Sequence, residues 1–410
     1  MLQEADEHPN SDDETNGTAP SGPMVDGSLL IGLLTLYPML RFAAGGLSLV
    51  ALVLTIILLG LAFLRGPSLK LVVLWSPLLL GTLASWAYCW LNGLDSEATY
   101  YIFLTLLLGT IASLSNTHFT YSHRAVLWIC AFFCVTVLMF LAFPGLLDLA
   151  SAQYATAVVE SAGEDYITVN DDDKLREADR FHAYFIHSNE FGIFAAAFFF
   201  ILVLLRDGEA SFAAKLASLV IAGTLAIFVA SSGSATAKFV LVAALALRIM
   251  PAAPVLIGLC GLFCFQFLSQ VFFPDRVLPY LESGSFYWRY LSAQQIVNQA
   301  PFFAFDPGHI SLVGTWPHSI FLDFTFLFGL AGAGIVTCLA VVFALFAVPP
   351  VTGGAVLVFF ICAALQPAGA MPSCFLLLAV AIILQASVNP DEALSQSTAH
   401  DDVLAPQHEH

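Results

Sequence analysis

Apolar stretches of membrane-spanning length recur along almost the whole chain, and no other feature restricts its fold so strongly. A helix needs about 20 mostly apolar residues to cross the hydrocarbon of a bilayer while satisfying its backbone internally. Runs that meet this requirement lie near 24–40, 44–64, 71–92, 99–114, 125–147, 189–205, 215–231, 236–250, 253–272, 318–346, 354–368 and 373–387. Soluble cores do not repeat such runs. With 59% hydrophobic and 10% charged residues and a mean hydropathy of +0.85, the chain lacks the polar surface that two or three water-soluble domains would need. The expected fold class is all-α, a polytopic integral membrane protein with about 12 transmembrane helices and two long external loops.

Orientation follows from the basic residues of the short loops, because Lys and Arg beside a span are retained in the cytoplasm. Arg65, Lys70, Arg124, Arg206, Lys215 and Arg248 fall on one side of the twelve-span plan, and only Arg41 and Lys238 fall on the other. Both termini are then cytoplasmic, and the two largest polar segments, 148–188 and 273–317, share the external face. Three regions are expected: an acidic, disordered tail over 1–23, a transmembrane domain over 24–387, and a second disordered tail over 388–410. The first residues are acidic and polar, unlike a secretory leader, so no cleavable signal peptide is expected.

The net charge of −17 gathers largely in the tails and in the first long loop, where Asp171, Asp172 and Asp173 are consecutive. A solvated loop explains that run better than calcium binding, which would need spaced oxygen ligands and a turn glycine. All eight cysteines lie in or beside spans and read as small apolar packing residues; Cys130/Cys134 and Cys260/Cys264 have one-turn spacing without further ligands at the same depth. Phosphate-cradling glycine loops, dinucleotide fingerprints, paired-His zinc helices and basic nucleic-acid surfaces are absent from the sequence. No metal, cofactor or nucleic acid is expected, and the chemistry is left to the two external loops.

The first loop ends Arg180-Phe-His182-Ala-Tyr184-Phe-Ile-His187-Ser188-Asn189-Glu190-Phe-Gly192 and turns strongly apolar. Asn189 reads as a helix N-cap, with Glu190 where the helix dipole favours negative charge. Arg180, His182 and His187 above that helix suit either an anionic phosphate or a headgroup anchor. The second loop alternates aromatics and arginines: Arg276, Tyr287-Trp288-Arg289-Tyr290, Pro301-Phe-Phe, and Trp316-Pro317-His318-Ser319. Its aromatics fit an interfacial belt or a sugar-stacking platform equally well. His318 is placed at the first turn of a long helix, where the positive dipole end disfavours imidazolium and keeps a proton-accepting ring.

The order Arg180…His187-Ser188-Asn189-Glu190-Phe191-Gly192, then Ser231-Ser232-Gly233-Ser234, then Arg289…Pro301, then His318-Ser319-x-x-Leu322…Gly329-x-x-Gly332 resembles the O-antigen ligase and O-antigen polymerase family over roughly 180–335. The resemblance implies an inverting, metal-independent glycosyltransferase of the bacterial inner membrane. It would take saccharide from an undecaprenyl-diphosphate-linked donor on the outer face and join it to a saccharide or lipid A-core acceptor, alongside polysaccharide-assembly proteins. By position, it puts Arg180 and Arg289 on the diphosphate with Arg276 in support, and makes His318 the base for the acceptor hydroxyl. His187 and Trp288 join the candidate substrate-binding residues.

Two departures stand out. Relatives commonly carry Ser-Arg-Gly where this chain has Ser231-Ser232-Gly233, and Pro-x-x-Gly-x-Gly where it has Pro301…Ala304-Phe-Asp306 with Gly308 shifted. A divergent donor or acceptor is the expectation, with polymerase favoured over ligase. A flippase or other transporter of lipid-linked oligosaccharides is the alternative; it would place polar sites at the bilayer midplane among interrupted helices and repeats.

Overall fold

In the computed structural model, the described residues are 25–26, 28–29, 31–32, 35–36, 38–39, 83, 87, 91, 119–143, 145–146, 148–149, 181–185, 188–205, 211–272, 294–303, 319–365, 377, 380–381 and 384. They are helical, apart from short connections and one two-residue parallel pairing of β1 (Val25–Asp26) with β2 (Phe119–Thr120). The helices are α1 (His123–Ala142), α2 (Ser188–Leu204), α3 (Phe212–Ser231), α4 (Ala235–Ile249), α5 (Ala252–Phe272), α6 (Ile320–Val342) and α7 (Pro350–Leu365). Each corresponds to an apolar run of the sequence.

Local chemistry explains where they start. The hydroxyls of Ser122, Ser211 and Ser234 accept the free backbone N–H of Ala125, Ala214 and Ala237, capping α1, α3 and α4. Pro350 opens α7, where its missing N–H costs nothing. Between α3 and α4 the chain reverses over Ser232, Gly233 and Ser234, with Gly233 at φ 68°. Both helices pack chiefly on α2.

Two helices are hydrophobic on all sides and lie inside the protein. Nearly every residue of α2 is buried, as are Thr352 to Ala364 of α7. α2 is flanked by α3 and α4, α3 leans on α1, and α4 also reaches α7, which packs on α5 and α6. The outer helices leave large apolar side chains exposed, among them Trp128, Leu219, Ile257, Phe265 and Phe346. His123–Ala142, Phe212–Ser231 and Gly329–Phe346 are each long and apolar enough to cross a membrane, and the apolar segments Ser188–Leu204, Ala252–Leu268 and Pro350–Ala364 are shorter. Such surfaces belong in lipid.

α6 departs from the sequence expectation of one continuous helix over 318–346. Gly329 has φ 74° and ψ −176°, a conformation open essentially to glycine alone, and it splits the element in two. Toward its end, α6 widens into a π-helical turn over Phe343–Ala347 before Pro349 and Pro350.

Of the cysteines, Cys130, Cys134 and Cys362 are buried, Cys260 and Cys264 are half-buried and Cys338 is exposed; all six are free thiols. Cys89 and Cys374 lie outside the described residues.

Candidate functional site

The described residues nearest in sequence to the expected site are those that lead into α2 and α6. Before α2, Phe181 to Phe185 form a buried turn. Phe185 N–H donates to His182 O at 2.9 Å, and Ala183 takes φ 48° to close the turn. His182 Nδ1 lies 3.0 Å from Phe185 O. A carbonyl can only accept, so the ring carries its proton on Nδ1 and the side chain staples the turn. His182 is buried, and its ring is engaged by its own turn.

Aromatic packing seats this turn against the bundle. The Phe185 ring lies 5.0 Å from that of Phe194, and Phe181 meets Phe191 edge-on at 5.2 Å. Phe133 of α1 closes the cluster, 4.9 Å from Phe198. Tyr184 reaches Thr136 of α1, oxygen to oxygen 3.5 Å, and its ring lies 5.3 Å from Phe140. Burial pushes the Tyr184 phenol well above its ordinary pKa, a shift that the Thr136 hydroxyl only partly opposes. Tyr184 is a neutral packing residue.

α2 begins at Ser188, which puts Asn189 inside the first turn and corrects its assignment as the cap. Glu190 is in that turn as expected, with its side chain 1% exposed. Two residues further, Gly192 faces the α3–α4 turn. A Cβ there would run into Ser232 Oγ and stand 3.0 Å from Ala237 Cβ. Ser232 is fully buried, donates to Val229 O at 2.8 Å and accepts from Ser234 N–H at 3.2 Å. The Ser232 hydroxyl is thus locked into its own turn. Lys238, one turn into α4, is exposed.

The second loop meets α6 at the break. Leu330 N–H donates to Pro301 O at 3.2 Å and Ala331 N–H to Phe302 O at 3.0 Å, so loop carbonyls accept the donors that a continuous helix would have used internally. A Cβ on Gly329 would collide with Pro301 O and stand 2.8 Å from Phe302 O. A short helix over 294–299, in which Ile296 is fully buried, leads into Pro301. Phe302 and Phe303 stay exposed, their rings edge to face at 4.8 Å. The half of α6 before the break packs through Phe321 on Phe263 at 5.0 Å and Phe267 at 5.4 Å, with Leu322 buried beside it.

Arg180, His187, Arg276, Trp288, Arg289 and His318 all lie outside the described residues. What is described are their chain neighbours. Ser188 follows His187 and Ser319 follows His318, and each serine hydroxyl is buried without a hydrogen-bond partner among the described residues. Ser319 is the N-cap of α6, which starts at Ile320, and in sequence His318 directly precedes that cap. Sequence reading singled out Gly192, Pro301 and Gly329 as parts of a pattern but assigned them no partners. An isolated glycine in an apolar run signals close backbone approach without saying to what.

No family model, curated protein or solved structure matches the chain.

Proposed function

We propose that this protein belongs to the class of multi-pass enzymes that work at the outer face of a bacterial inner membrane, with both termini cytoplasmic. Within that class, the reading that fits best is a glycosyltransferase of the O-antigen polymerase and ligase kind, acting on an undecaprenyl-diphosphate-linked saccharide. In this reading His318 takes a proton from the acceptor hydroxyl as it attacks the anomeric carbon. Arg180 and Arg289, aided by Arg276, hold the departing diphosphate through their two-pronged donors.

The observation that carries the reading is the pairing of motif pieces distant in sequence. Gly192 meets Ser232, and Gly329 meets Pro301. Both contacts lie beside chain segments that bear the candidate residues, and both involve positions quoted for the resemblance. The buried hydroxyls of Ser188 and Ser319 add unused hydrogen-bonding capacity at the starts of α2 and α6.

The break in α6 favours a second reading, because discontinuous helices are typical of transporters. Here, however, the freed N–H groups of Leu330 and Ala331 are taken by loop carbonyls, which anchors the loop. One experiment separates the two. The purified chain is reconstituted in vesicles with an undecaprenyl-diphosphate oligosaccharide and an acceptor saccharide. Elongated or transferred glycan is the expected product; movement of the unaltered donor between leaflets without new glycosidic bonds would establish the transporter instead.

A further inference from the structure

Far from the Gly329 break in chain order, a groove of about 340 Å³ lies between Leu29, Gly32, Thr35 and Leu36 on one side and α1 on the other. Leu29, Gly32, Leu36, Trp128, Ile129 and Phe132 line it. The one polar side chain of the lining, Thr35, donates its hydroxyl to Ile31 O at 2.7 Å. No carboxylate lines the groove among the described residues. The walls are tied together where α1 begins: Ser122 N–H donates to Ser28 Oγ at 3.0 Å, and the β1–β2 pairing lies just before it. The groove therefore has a fixed width at that end.

Charge supplies the occupant. Arg124, Trp128 and Phe132 follow one another at four-residue spacing, so they share one face of α1, and all three are exposed, Trp128 at 75%. The row passes from a permanent cation, through an indole, to pure hydrocarbon within about 12 Å of helix. That is the polarity profile of a membrane lipid read from its headgroup inward, with the indole at the interfacial level. With no carboxylate among the described residues that line the groove, a guanidinium at its edge favours a net negative headgroup over a zwitterion. We infer that this groove is a binding site for one anionic phospholipid, its phosphate on Arg124 and an acyl chain laid along Gly32, Leu36 and Phe132.

Gly32 makes the site testable without disturbing the core. A Cβ there would meet only Ile129 Cδ1, at an ordinary 3.8 Å, so a larger side chain enters the groove and not a packed interior. The full chain is reconstituted in phosphatidylcholine vesicles containing phosphatidylglycerol, with bromine on the acyl chains of one lipid or the other. Quenching of Trp128 is isolated by subtracting the Trp128→Phe protein. Brominated phosphatidylglycerol is expected to quench Trp128 at about a fivefold lower mole fraction than brominated phosphatidylcholine, the preference one basic residue confers at a bilayer surface. Gly32→Leu and Arg124→Gln should each bring that ratio to one, and Arg124→Lys should keep it. Because Arg124 is exposed, its variants keep the test decisive even if Gly32→Leu fails to fold. A ratio of one in the unmodified protein overturns the inference. So does a preference that survives Arg124→Gln, one that survives Gly32→Leu as general surface attraction, or a Trp128 that neither lipid quenches because protein covers it.

Discussion

The approaches to α2 and to α6 have the same chain plan, a His-Ser pair leading into an apolar helix with a glycine some way along it. They use that glycine in different ways. In α2 the helix is regular, and Gly192 leaves out a side chain so that the Ser232 side chain can come close. In α6 the helix is interrupted, and Gly329 supplies a backbone conformation as well as the space that the Pro301 and Phe302 carbonyls occupy. The first contact joins two pieces of folded bundle; the second fastens a loop to a membrane helix by main-chain hydrogen bonds. A side-chain contact can be relieved by trimming the partner. A contact with backbone oxygen cannot.

The two approaches should also differ in what they contribute to activity, and the largest effect is expected from the α6 side. His318→Ala should lower glycan transfer by about 10²–10⁴-fold, the usual loss for a missing general base, with protein abundance kept. His309→Ala is the matched control from the same loop. His182 does not qualify, because it staples a buried turn. Wild-type amounts of polymer from His318→Ala, measured by glycan gel at equal protein level, would remove the base from the α6 entrance.

Next in size, Gly329→Ala should destabilise the protein by at least about 3 kcal/mol, combining a backbone region closed to alanine with overpacking against carbonyls. Thermal unfolding in detergent measures it. Pro301→Ala should not rescue the variant, since the colliding oxygen remains. A rescued double variant would mean that the loop, and not the break, sets the geometry.

The arginines divide between the two approaches, Arg180 before α2 and Arg289 in the second loop. Neutralising either should weaken use of the diphosphate donor by about ten- to a hundredfold, the range for hydrogen bonds to a charged group. Lysine should restore little, because it lacks the planar fork. Donor-concentration dependence of transfer in vesicles is the measurement; unchanged dependence in both alanine variants would take the diphosphate away from these residues.

The smallest effect belongs to the side-chain contact. Gly192→Ala should cost about 1–3 kcal/mol through overpacking. Ser232→Ala removes the oxygen it strikes, so the double variant should lose less than the sum of the singles. Strict additivity, read from the same unfolding midpoints, would show that Gly192 and Ser232 do not share a contact.

Hydropathy alone made the helices legible: each of α1 to α7 corresponds to an apolar run, because any segment of that composition must satisfy its backbone internally in lipid. The serine caps and Pro350 at the head of α7 are readable for the same local reason. Hydropathy has no means of telling which runs lie inside. Lipid tails and neighbouring helices are equally apolar, so α2, buried all round, and α3, largely exposed, read alike. Nor does an apolar run announce its own interruption. Gly329 breaks α6 and Gly192 does not break α2, since the outcome turns on what arrives beside each glycine, carbonyls of a loop or the hydroxyl of a turn. Those partners are far away along the chain and are brought together by packing, which is why the pattern of glycines could be read residue by residue while its purpose had to wait for the fold.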